Sequence, residues 1–185
     1  MKIRIVTLND APELLAIYSQ YIASDITFEN ELPSEAAFKQ RINDICSSYP
    51  YLVLEKNDQI IGYAYAHRIQ SREAFQWGAE LSIYLDQKSS GRGLGTKLYT
   101  RLINTLKSQG VRTVYGCVTS SNLASEKFHE KLGFSRIGTF HNAGFKNGLW
   151  HGITWFEKVI GSYDDTPTPL IPFSEIELLF KDELK

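Results

Sequence analysis

Residues 91–95 read Gly-Arg-Gly-Leu-Gly, and this segment has the clearest chemical meaning in the sequence. The residues before it alternate between apolar and polar, as in a strand, and Leu98, Leu102 and Leu106 follow at helical spacing. A strand, a glycine loop and a helix together direct several unpaired backbone N–H groups at one point, where the helix dipole favours negative charge. The segment therefore predicts a binding site for a phosphate or another anion.

Two common phosphate-binding motifs do not fit this segment. A Walker loop has Lys followed by Ser or Thr after its last glycine, whereas Gly95 is followed by Thr96 and then Lys97. A dinucleotide fingerprint has glycines spaced Gly-x-Gly-x-x-Gly, whereas Gly91, Gly93 and Gly95 are evenly spaced. The anion is therefore not expected to belong to a P-loop nucleotide or to a dinucleotide of the Rossmann type.

The segment instead resembles the pyrophosphate loop of the GCN5-related N-acetyltransferases (GNAT), Arg/Gln-x-x-Gly-x-Gly/Ala, which binds acetyl-CoA. Gly93 and Gly95 match its glycines, and Ser90 stands where Arg or Gln is expected, a departure that affects one phosphate contact. Further motifs are similar to the phosphinothricin acetyltransferase branch of this superfamily and are specific only in combination. They lie at residues 27–29, 62–66, 80–85, 91–99, 122, 128–134 and 144–151.

The apolar periodicity along the chain predicts the element order β-αα-βββ-α-β-α-ββ. This order predicts a mixed α/β fold, with a central sheet of about seven strands and helices on both faces. Ser34 is predicted to cap the second helix, and Gly110 and Gly133 are predicted to end the third and fourth helices. The resemblance implies that the two middle strands splay apart into a V-shaped cleft for the cofactor.

Residues 1–161 are predicted to form one GNAT N-acetyltransferase domain, since the resemblance covers this part of the chain. The composition changes at residues 162–169, which are rich in Asp, Thr and Pro, and residues 162–185 lie outside the resemblance. This C-terminal extension is open to three interpretations: an added helix, an oligomer contact or a disordered segment.

Composition excludes several classes of function. A formal charge of −1 argues against a general nucleic-acid or membrane-surface role, and no apolar run approaches the roughly 18 residues of a membrane span. The N-terminus is too short and too charged for a signal peptide. Cys46 and Cys117 form no Cys-x-x-Cys pair, so neither a disulfide framework nor a metal site is expected, and Cys117 is predicted to be a core thiol. We expect a soluble cytoplasmic protein and leave open whether it forms a homodimer.

Glu80 matches the glutamate of the family's Glu-x-Ser-x-Tyr-Val pattern, which implies that it is the general base. An alkylammonium is mostly protonated at neutral pH, so acetylation needs a base to take its proton directly or through water. The alternative is a paired or solvated glutamate at the start of a strand. His129 stands where many GNAT members have Tyr, and the resemblance implies that it protonates the departing thiolate; a packing role is its alternative.

Acetyl-CoA is the co-substrate that the resemblance implies. The backbone of the strand after Glu80 is expected to face the pantetheine amides, and the glycine loop to take the pyrophosphate. Asn122 either caps its helix or bonds the pantetheine arm, or does both; Arg92 is either solvated or close to the 3′-phosphate. The predicted cofactor-binding residues are Ile83, Tyr84, Leu85, Gly91, Arg92, Gly93, Leu94, Gly95, Thr96, Asn122 and Ser125.

The acceptor is expected to be a small-molecule amine. Phosphinothricin-type acceptors carry a carboxylate and a tetrahedral head group, and the planar fork of Arg suits such groups. Arg72 occurs where the family pattern has Arg-x-Ala-Tyr, but Phe75 replaces the Tyr and leaves the acceptor's identity open. The predicted substrate-binding residues are Phe28, Glu29, Arg72, Phe75 and Trp77. Core packing is the alternative for the aromatic ones, and His151 is predicted to be structural.

Three functions remain open from the sequence. The first is an acetyl-CoA-dependent N-acetyltransferase that acts on a small amino acid or analogue by direct transfer. The second is a catalytically silent acyl-CoA-binding sensor, and the third is an enzyme that acetylates a protein N-terminus or a lysine. The presence of both Glu80 and His129 favours catalysis, and the aromatic residues of the acceptor loops favour a small pocket over a peptide groove.

Overall fold

The computed structural model describes residues 1–89 and 93–176 of the 185-residue chain. Seven strands form one sheet in the order β1-β2-β3-β4-β5-β7-β6. The strands are β1 (Lys2–Ile5), β2 (Tyr51–Lys56), β3 (Gln59–Arg68), β4 (Gly78–Leu85), β5 (Thr113–Thr119), β6 (Ser135–Lys146) and β7 (Leu149–Val159). Within residues 1–89 and 93–161 the α-helices are α1 (Ala11–Ile22), α2 (Glu35–Cys46), α3 (Leu94–Gln109) and α4 (Leu123–Lys131). The predicted element order and mixed α/β class are confirmed.

Helices cover both faces of the sheet because β2 and its neighbours are apolar on both faces. Leu52 and Leu54 point into one core cluster, which the buried leucines of α3 complete. Tyr51 and Val53 alternate with them and point into a second cluster, formed with α1 and α2. Each cluster removes a separate apolar surface from water, so the sheet is held between two layers of helix.

The two middle strands separate halfway along their length. Parallel pairing of β4 with β5 begins at Gly78 and Thr113 and ends at Leu81 and Gly116. Beyond that point β4 continues to Leu85 beside β3, while β5 continues beside β7. The inner edges of the two strands are therefore unpaired there, which confirms the predicted V-shaped gap.

The helix ends match the sequence signals. The Ser34 hydroxyl accepts a hydrogen bond from the Ala37 backbone N–H at 3.2 Å and caps α2. Gly110 follows α3 with φ of 95°, a left-handed conformation that glycine adopts without steric cost. Gly133, with φ of 80°, lies just after α4 in the same region.

The described part of the C-terminal extension packs against the domain. Phe173 and Ile176 are buried in the core cluster beside α3. The Gln109 side chain donates a hydrogen bond to the backbone carbonyl of Ile171. In return, the backbone N–H of Ile171 donates to the backbone carbonyl of Gln109. The indole N–H of Trp77 donates to the Thr168 carbonyl at 2.8 Å. Among the described residues, no helix is both long enough and apolar enough to cross a membrane.

Candidate active site

Glu80 lines the larger of two cavities around the middle strands. The residue lies on β4, opposite His67 of β3 and beside Tyr115 of β5. Its side chain is 22% exposed, and the cavity has a volume of about 490 Å³. The lining residues are Ile69, Gln70, Glu80, Tyr115, Ile137, Gly138, Phe140 and Trp155. Glu80 is the only charged side chain among the described residues that line this cavity.

Burial sets the acidity of Glu80. Removal from water disfavours the carboxylate and raises the pKa of Glu80, an effect that the nearby His67 partly opposes. Nε2 of His67 lies 3.8 Å from Oε1 of Glu80. A raised pKa makes the carboxylate a better proton acceptor than an exposed glutamate, which suits a general base.

The second cavity lies in the gap between the splayed strands and has a volume of about 80 Å³. Its lining residues are Ile26, Leu81, Ser82, Ile83, Tyr84, Tyr99, Cys117, Val118, Thr119, Asn122, Ser125 and His129. Because successive side chains of a strand point to opposite faces, the four consecutive residues of β4 in this list line the gap from both faces of the sheet. On β4 the lining of this cavity begins at Leu81, the residue after Glu80, so the two cavities are neighbours.

His129 is buried in an aromatic environment, with 4% of its surface exposed. Nδ1 lies 2.8 Å from the Ser125 carbonyl oxygen, which can only accept, so Nδ1 carries the proton and donates. Nε2 is then the acceptor for the Tyr99 hydroxyl, 3.0 Å away. Burial lowers the pKa of His129, and the hydrogen bond to Ser125 partly opposes this effect. The ring is therefore neutral, and both of its nitrogens are hydrogen-bonded.

Tyr99 was not predicted as a site residue. It lies on α3, is fully buried, lines the gap cavity together with His129, and contacts His129 through its hydroxyl. Burial, together with the charge of Glu80, raises the pKa of Tyr99, so the hydroxyl keeps its proton. Its position within residues 91–99, which resemble the family motif, was the only sequence signal available, because its partner lies 30 residues away.

Gly116 on β5 makes room for the His129 ring. A Cβ atom at this position would lie 2.7 Å from Cδ2 of His129 and closer still to Nε2. No real side chain tolerates such contacts with a fixed ring. The glycine is therefore required for α4 to bring the imidazole against the end of the paired part of β5.

Asn122 and Ser125 lie at the start of α4 and line the gap cavity. Oδ1 of Asn122 accepts a hydrogen bond from the Ser125 backbone N–H at 3.1 Å, which caps the helix. The carbonyl of the same Ser125 accepts the Nδ1 proton of His129. The cap therefore also fixes the residue that sets the tautomer of His129.

Ile83, Tyr84 and Leu85 form the part of β4 that lies beyond the pairing with β5. All three pair with β3 on one side, opposite Ala64 and its neighbours, and their other edge borders the gap. The Leu85 carbonyl accepts a hydrogen bond from the Tyr21 hydroxyl at 2.5 Å. This contact engages one of the backbone groups that were predicted to face a ligand.

The predicted glycine loop is described from Gly93 onward, and Gly91 and Arg92 lie outside the described residues. Gly93 has φ of 72° and precedes the first turn of α3, and a Cβ built on it would meet no atom within 4 Å among the described residues beyond its chain neighbours. Gly95 is buried, and a Cβ there would lie 3.3 Å from Leu85. Gly93 therefore serves backbone conformation and open access, whereas Gly95 serves packing. Leu94 and Thr96 complete the first turn of α3.

The five predicted substrate-binding residues do not line the Glu80 cavity. Glu29 forms an ion pair with Arg41 of α2 at 2.6 Å, and Trp77 is bonded to the C-terminal extension. Arg72 is exposed at the start of the 3-10 turn Glu73–Phe75, and the Phe75 side chain is 48% exposed.

Phe28 packs against the β6–β7 hairpin. Its ring centroid lies 6.3 Å from that of His151, and a Cβ on Gly144 would lie 2.6 Å from its Cδ1. His151 contacts the Lys146 carbonyl through Nε2 at 3.0 Å. The aromatic wall of the Glu80 cavity comes instead from β5, β6 and β7, through Tyr115, Phe140 and Trp155, and was not predicted.

Comparison with known proteins places this geometry in a family. A family model described as an acetyltransferase (GNAT) domain matches residues 3–155. Phosphinothricin N-acetyltransferase of Streptomyces viridochromogenes is 29% identical over 177 residues, which cover 95% of this chain and 96% of that protein. The L-methionine sulfoximine/L-methionine sulfone acetyltransferase of Pseudomonas paraeruginosa is 30% identical over 158 residues, which cover 84% and 92%.

A solved structure gives the same result for the fold. The crystal structure of a GNAT superfamily phosphinothricin acetyltransferase from Sinorhizobium meliloti, in complex with acetyl-CoA, superimposes on this chain with a TM-score of 0.86. The two sequences are 30% identical, and the match covers 90% of this chain and 92% of that one.

Proposed function

Because this chain belongs to the GNAT acetyltransferase family, we propose that it transfers the acetyl group of acetyl-CoA directly to the amine of a small amino acid or analogue. The observation that carries the proposal is the position of Glu80. Its half-buried carboxylate lines a cavity of about 490 Å³, and the unpaired gap between β4 and β5 begins two residues further on, after Leu81. Direct transfer needs a base and an acyl-donor site side by side.

The residues present fit acetyl-CoA. Beyond Leu81 the inner edge of β4 has no neighbouring strand, so its backbone can pair with an extended amide-containing chain. Gly93 leaves open space at the first turn of the 16-residue helix α3, where unpaired N–H groups favour a phosphate. When bound, acetyl-CoA supplies a thioester whose acetyl group can pass to an amine.

Glu80 is the proposed general base. It takes a proton from the acceptor's ammonium group, directly or through one water, and leaves the nitrogen lone pair free. Burial raises the pKa of Glu80 and keeps it closer to the working pH than an exposed glutamate. The apolar lining of the cavity disfavours charge, so the carboxylate is a stronger base there than in water.

Tyr99 and His129 together form the proposed proton-bearing pair beside the gap. His129 is neutral and its Nδ1 proton is held by the Ser125 carbonyl, so the proton in the contact between the two side chains is that of the Tyr99 hydroxyl. We therefore assign the acid role to this pair rather than to His129 alone. Tyr99→Phe keeps the ring and removes the hydroxyl, and we expect it to lower kcat much more than it raises the KM for acetyl-CoA.

The acceptor class follows from the relatives and the cavity. The relatives are named for phosphinothricin, methionine sulfoximine and methionine sulfone, which are compact amino-acid analogues. A cavity of about 490 Å³ with three aromatic walls suits a molecule of that size. Arg72 stays the predicted partner of the acceptor's carboxylate or head group.

An acceptor screen tests the proposal. Release of free thiol from acetyl-CoA is followed over amino acids, their sulfoximine and sulfone analogues, polyamines, and peptides with free N-termini. Turnover that is fastest with the small analogues supports the proposal. Calorimetric binding of acetyl-CoA without turnover on any acceptor would indicate a silent sensor, and a preference for peptides would indicate a protein acetyltransferase; either result overturns the proposal.

A further inference from the structure

The antiparallel pair β3–β4 places a histidine directly opposite the proposed base. Tyr63 faces Tyr84, Tyr65 faces Ser82, and His67 faces Glu80 in successive cross-strand pairs on one face of the sheet. The last pair stands at the edge of the Glu80 cavity. The His67 side chain is 40% exposed, whereas that of Glu80 is 22% exposed. His67 therefore connects the base with bulk solvent.

The orientation of the His67 ring is suited to accept a proton from Glu80. Nδ1 lies 3.2 Å from the Arg68 carbonyl oxygen, which can only accept, so Nδ1 carries the proton in the neutral ring. The lone pair is then on Nε2, the atom that lies 3.8 Å from Oε1 of Glu80. This distance is that of an ion pair and is longer than a hydrogen bond, and such contacts between catalytic groups shorten in substrate complexes.

The reaction creates a need for such a residue. Acetylation of an ammonium group by a thioester yields an amide and a thiol and releases one proton overall; the other proton lost by the nitrogen ends on the thiol sulfur. The proton taken up by Glu80 must leave before the next acceptor is deprotonated. We infer that His67 is the exit for this proton, an inference that rests on the proposed role of Glu80.

Two proton transfers make up the step. The O–H bond of the protonated Glu80 breaks and an N–H bond forms at Nε2 of His67, which gives carboxylate and imidazolium. The imidazolium then gives one proton to water, and the neutral ring is restored. His67 acts through Glu80 and touches neither acceptor nor cofactor, so it is a positioning residue that keeps the base in its active form.

Among the residues that the structure describes, no other titratable neighbour of Glu80 offers the same route. Burial raises the pKa of Cys117 on β5 to about 12 and holds the pKa of Tyr99 on α3 well above its usual value. The charge of Glu80 adds to both effects. Burial likewise raises the pKa of Tyr65 on β3, an effect that the Ser82 hydrogen bond opposes and the charge of Glu80 increases, with smaller effects from Arg41 and Glu29. These groups stay protonated near neutral pH, whereas histidine is the side-chain type that gains and loses protons there.

Two variants separate proton relay from packing. His67→Gln keeps a polar group near the position of Nε2 but cannot carry a proton. We expect kcat to fall about 10- to 100-fold, toward the low end of what a positioned proton-transfer group contributes, with the KM for acetyl-CoA unchanged. His67→Ala leaves space for a small base, and added imidazole is expected to restore its kcat. Tyr65→Phe, on the same face of β3, is the control that perturbs packing without removing the relay.

The free enzyme provides a second readout. Because His67 lowers the pKa of Glu80, the Glu80 carboxyl is expected to titrate at a higher pH in His67→Gln than in the wild type, as measured by carbon NMR without substrates. Wild-type kcat and an unshifted carboxyl titration in His67→Gln would overturn the inference. Full activity in Glu80→Gln would instead overturn the proposed base, so the two failures are distinguishable.

Discussion

The Tyr99 hydroxyl and Nε2 of His129 lie 3.0 Å apart, in a contact that joins α3 to α4 inside the core. Because the Ser125 carbonyl binds Nδ1, His129 can only accept at Nε2, and the Tyr99 proton points to it. Burial lowers the pKa of His129, so folding selects the neutral ring. The Ser125 contact thus fixes the tautomer of His129, burial fixes its neutral state, and the Tyr99 contact links the two helices.

The stability of the protein should depend on the neutral form of His129. A histidine whose pKa is lowered by folding contributes stability above its unfolded-state pKa of about 6.5, and this contribution is lost as pH falls toward the folded value. We expect the free energy of unfolding to fall between about pH 7 and 5 more steeply in the wild type than in His129→Gln. Denaturant unfolding at a series of pH values measures it. His141→Gln, at an exposed position, is the control and should keep the wild-type slope.

Gly116 should be intolerant of any side chain. The Cβ of Gly116→Ala would overlap the His129 ring, and the resulting overpacking is expected to cost about 1–3 kcal/mol of stability. Gly138→Ala is the matched control, because a Cβ there meets no atom within 4 Å. Thermal unfolding of the two variants compares them directly. Equal melting temperatures would show that the His129 ring moves aside freely.

The framework of the fold was predictable because its signals are local. Apolar residues repeat along α3, and Gly110 ends it with a left-handed turn. Ser34 caps α2 through an N–H only three residues away. Glu80 and Asn122 were likewise identified from motifs that read along the chain, and the structure places them in the linings of two neighbouring cavities.

The pairings within the site could not be predicted, because they depend on register and helix packing. His67 faces Glu80 only through the particular register of β3 with β4, and Tyr99 meets His129 only where α3 packs beside α4. The surroundings of the predicted acceptor residues depend on tertiary contacts in the same way. Glu29 forms an ion pair with Arg41, and no local sequence pattern indicates that contact.

Glu80→Gln should retain acetyl-CoA binding and lose turnover. The amide cannot accept the ammonium proton, so kcat should fall about 10²- to 10⁴-fold. The variant can use only amine that is already neutral in solution. Its rate should therefore fall furthest below the wild-type rate at low pH, in the range where Glu80 of the wild type is still ionised but most of the amine is protonated. Steady-state rates over a pH series, with calorimetry for acetyl-CoA, provide the measurement. Glu73→Gln, on the nearby exposed turn, should behave as the wild type.

In the wild type, activity should rise with pH through the pKa of Glu80, because the base must be deprotonated. Burial raises this pKa, so the acid limb of kcat/KM is expected above the value of about 4.3 for an exposed glutamate. An acid limb at or below that value, or a variant with wild-type rates throughout the series, would show that Glu80 is not the base.

Gly93→Asp should weaken acetyl-CoA binding while the fold survives. The position is open, so the side chain fits, but its charge would repel the pyrophosphate by about 1–4 kcal/mol, the Coulomb energy of nearby like charges at a surface. Gly93→Asn is the matched control, since Asn has the same size, no charge and a tolerance for left-handed φ. Calorimetry should find a larger loss of affinity for Asp than for Asn; equal losses would assign the effect to the backbone.

Arg72 is the predicted partner of the acceptor's carboxylate or head group. An amino-acid analogue needs a cation for its carboxylate or head group, whereas a polyamine needs several carboxylates, and Glu80 is the only charged side chain among the described residues of its cavity. Arg72 lies outside the lining of that cavity, on the exposed turn before β4, and is predicted to bind the acceptor's anionic group from there. Arg72→Ala should raise the KM for methionine sulfoximine or phosphinothricin roughly 10- to 150-fold, which corresponds to a lost contact of about 1.5–3 kcal/mol. Acetyl-CoA affinity should stay unchanged. Arg72→Lys keeps the charge without the planar fork, and its KM for the acceptor should lie between those of the wild type and Arg72→Ala. Steady-state kinetics that prefer spermidine, or an Arg72→Ala variant with wild-type KM, would contradict the assignment.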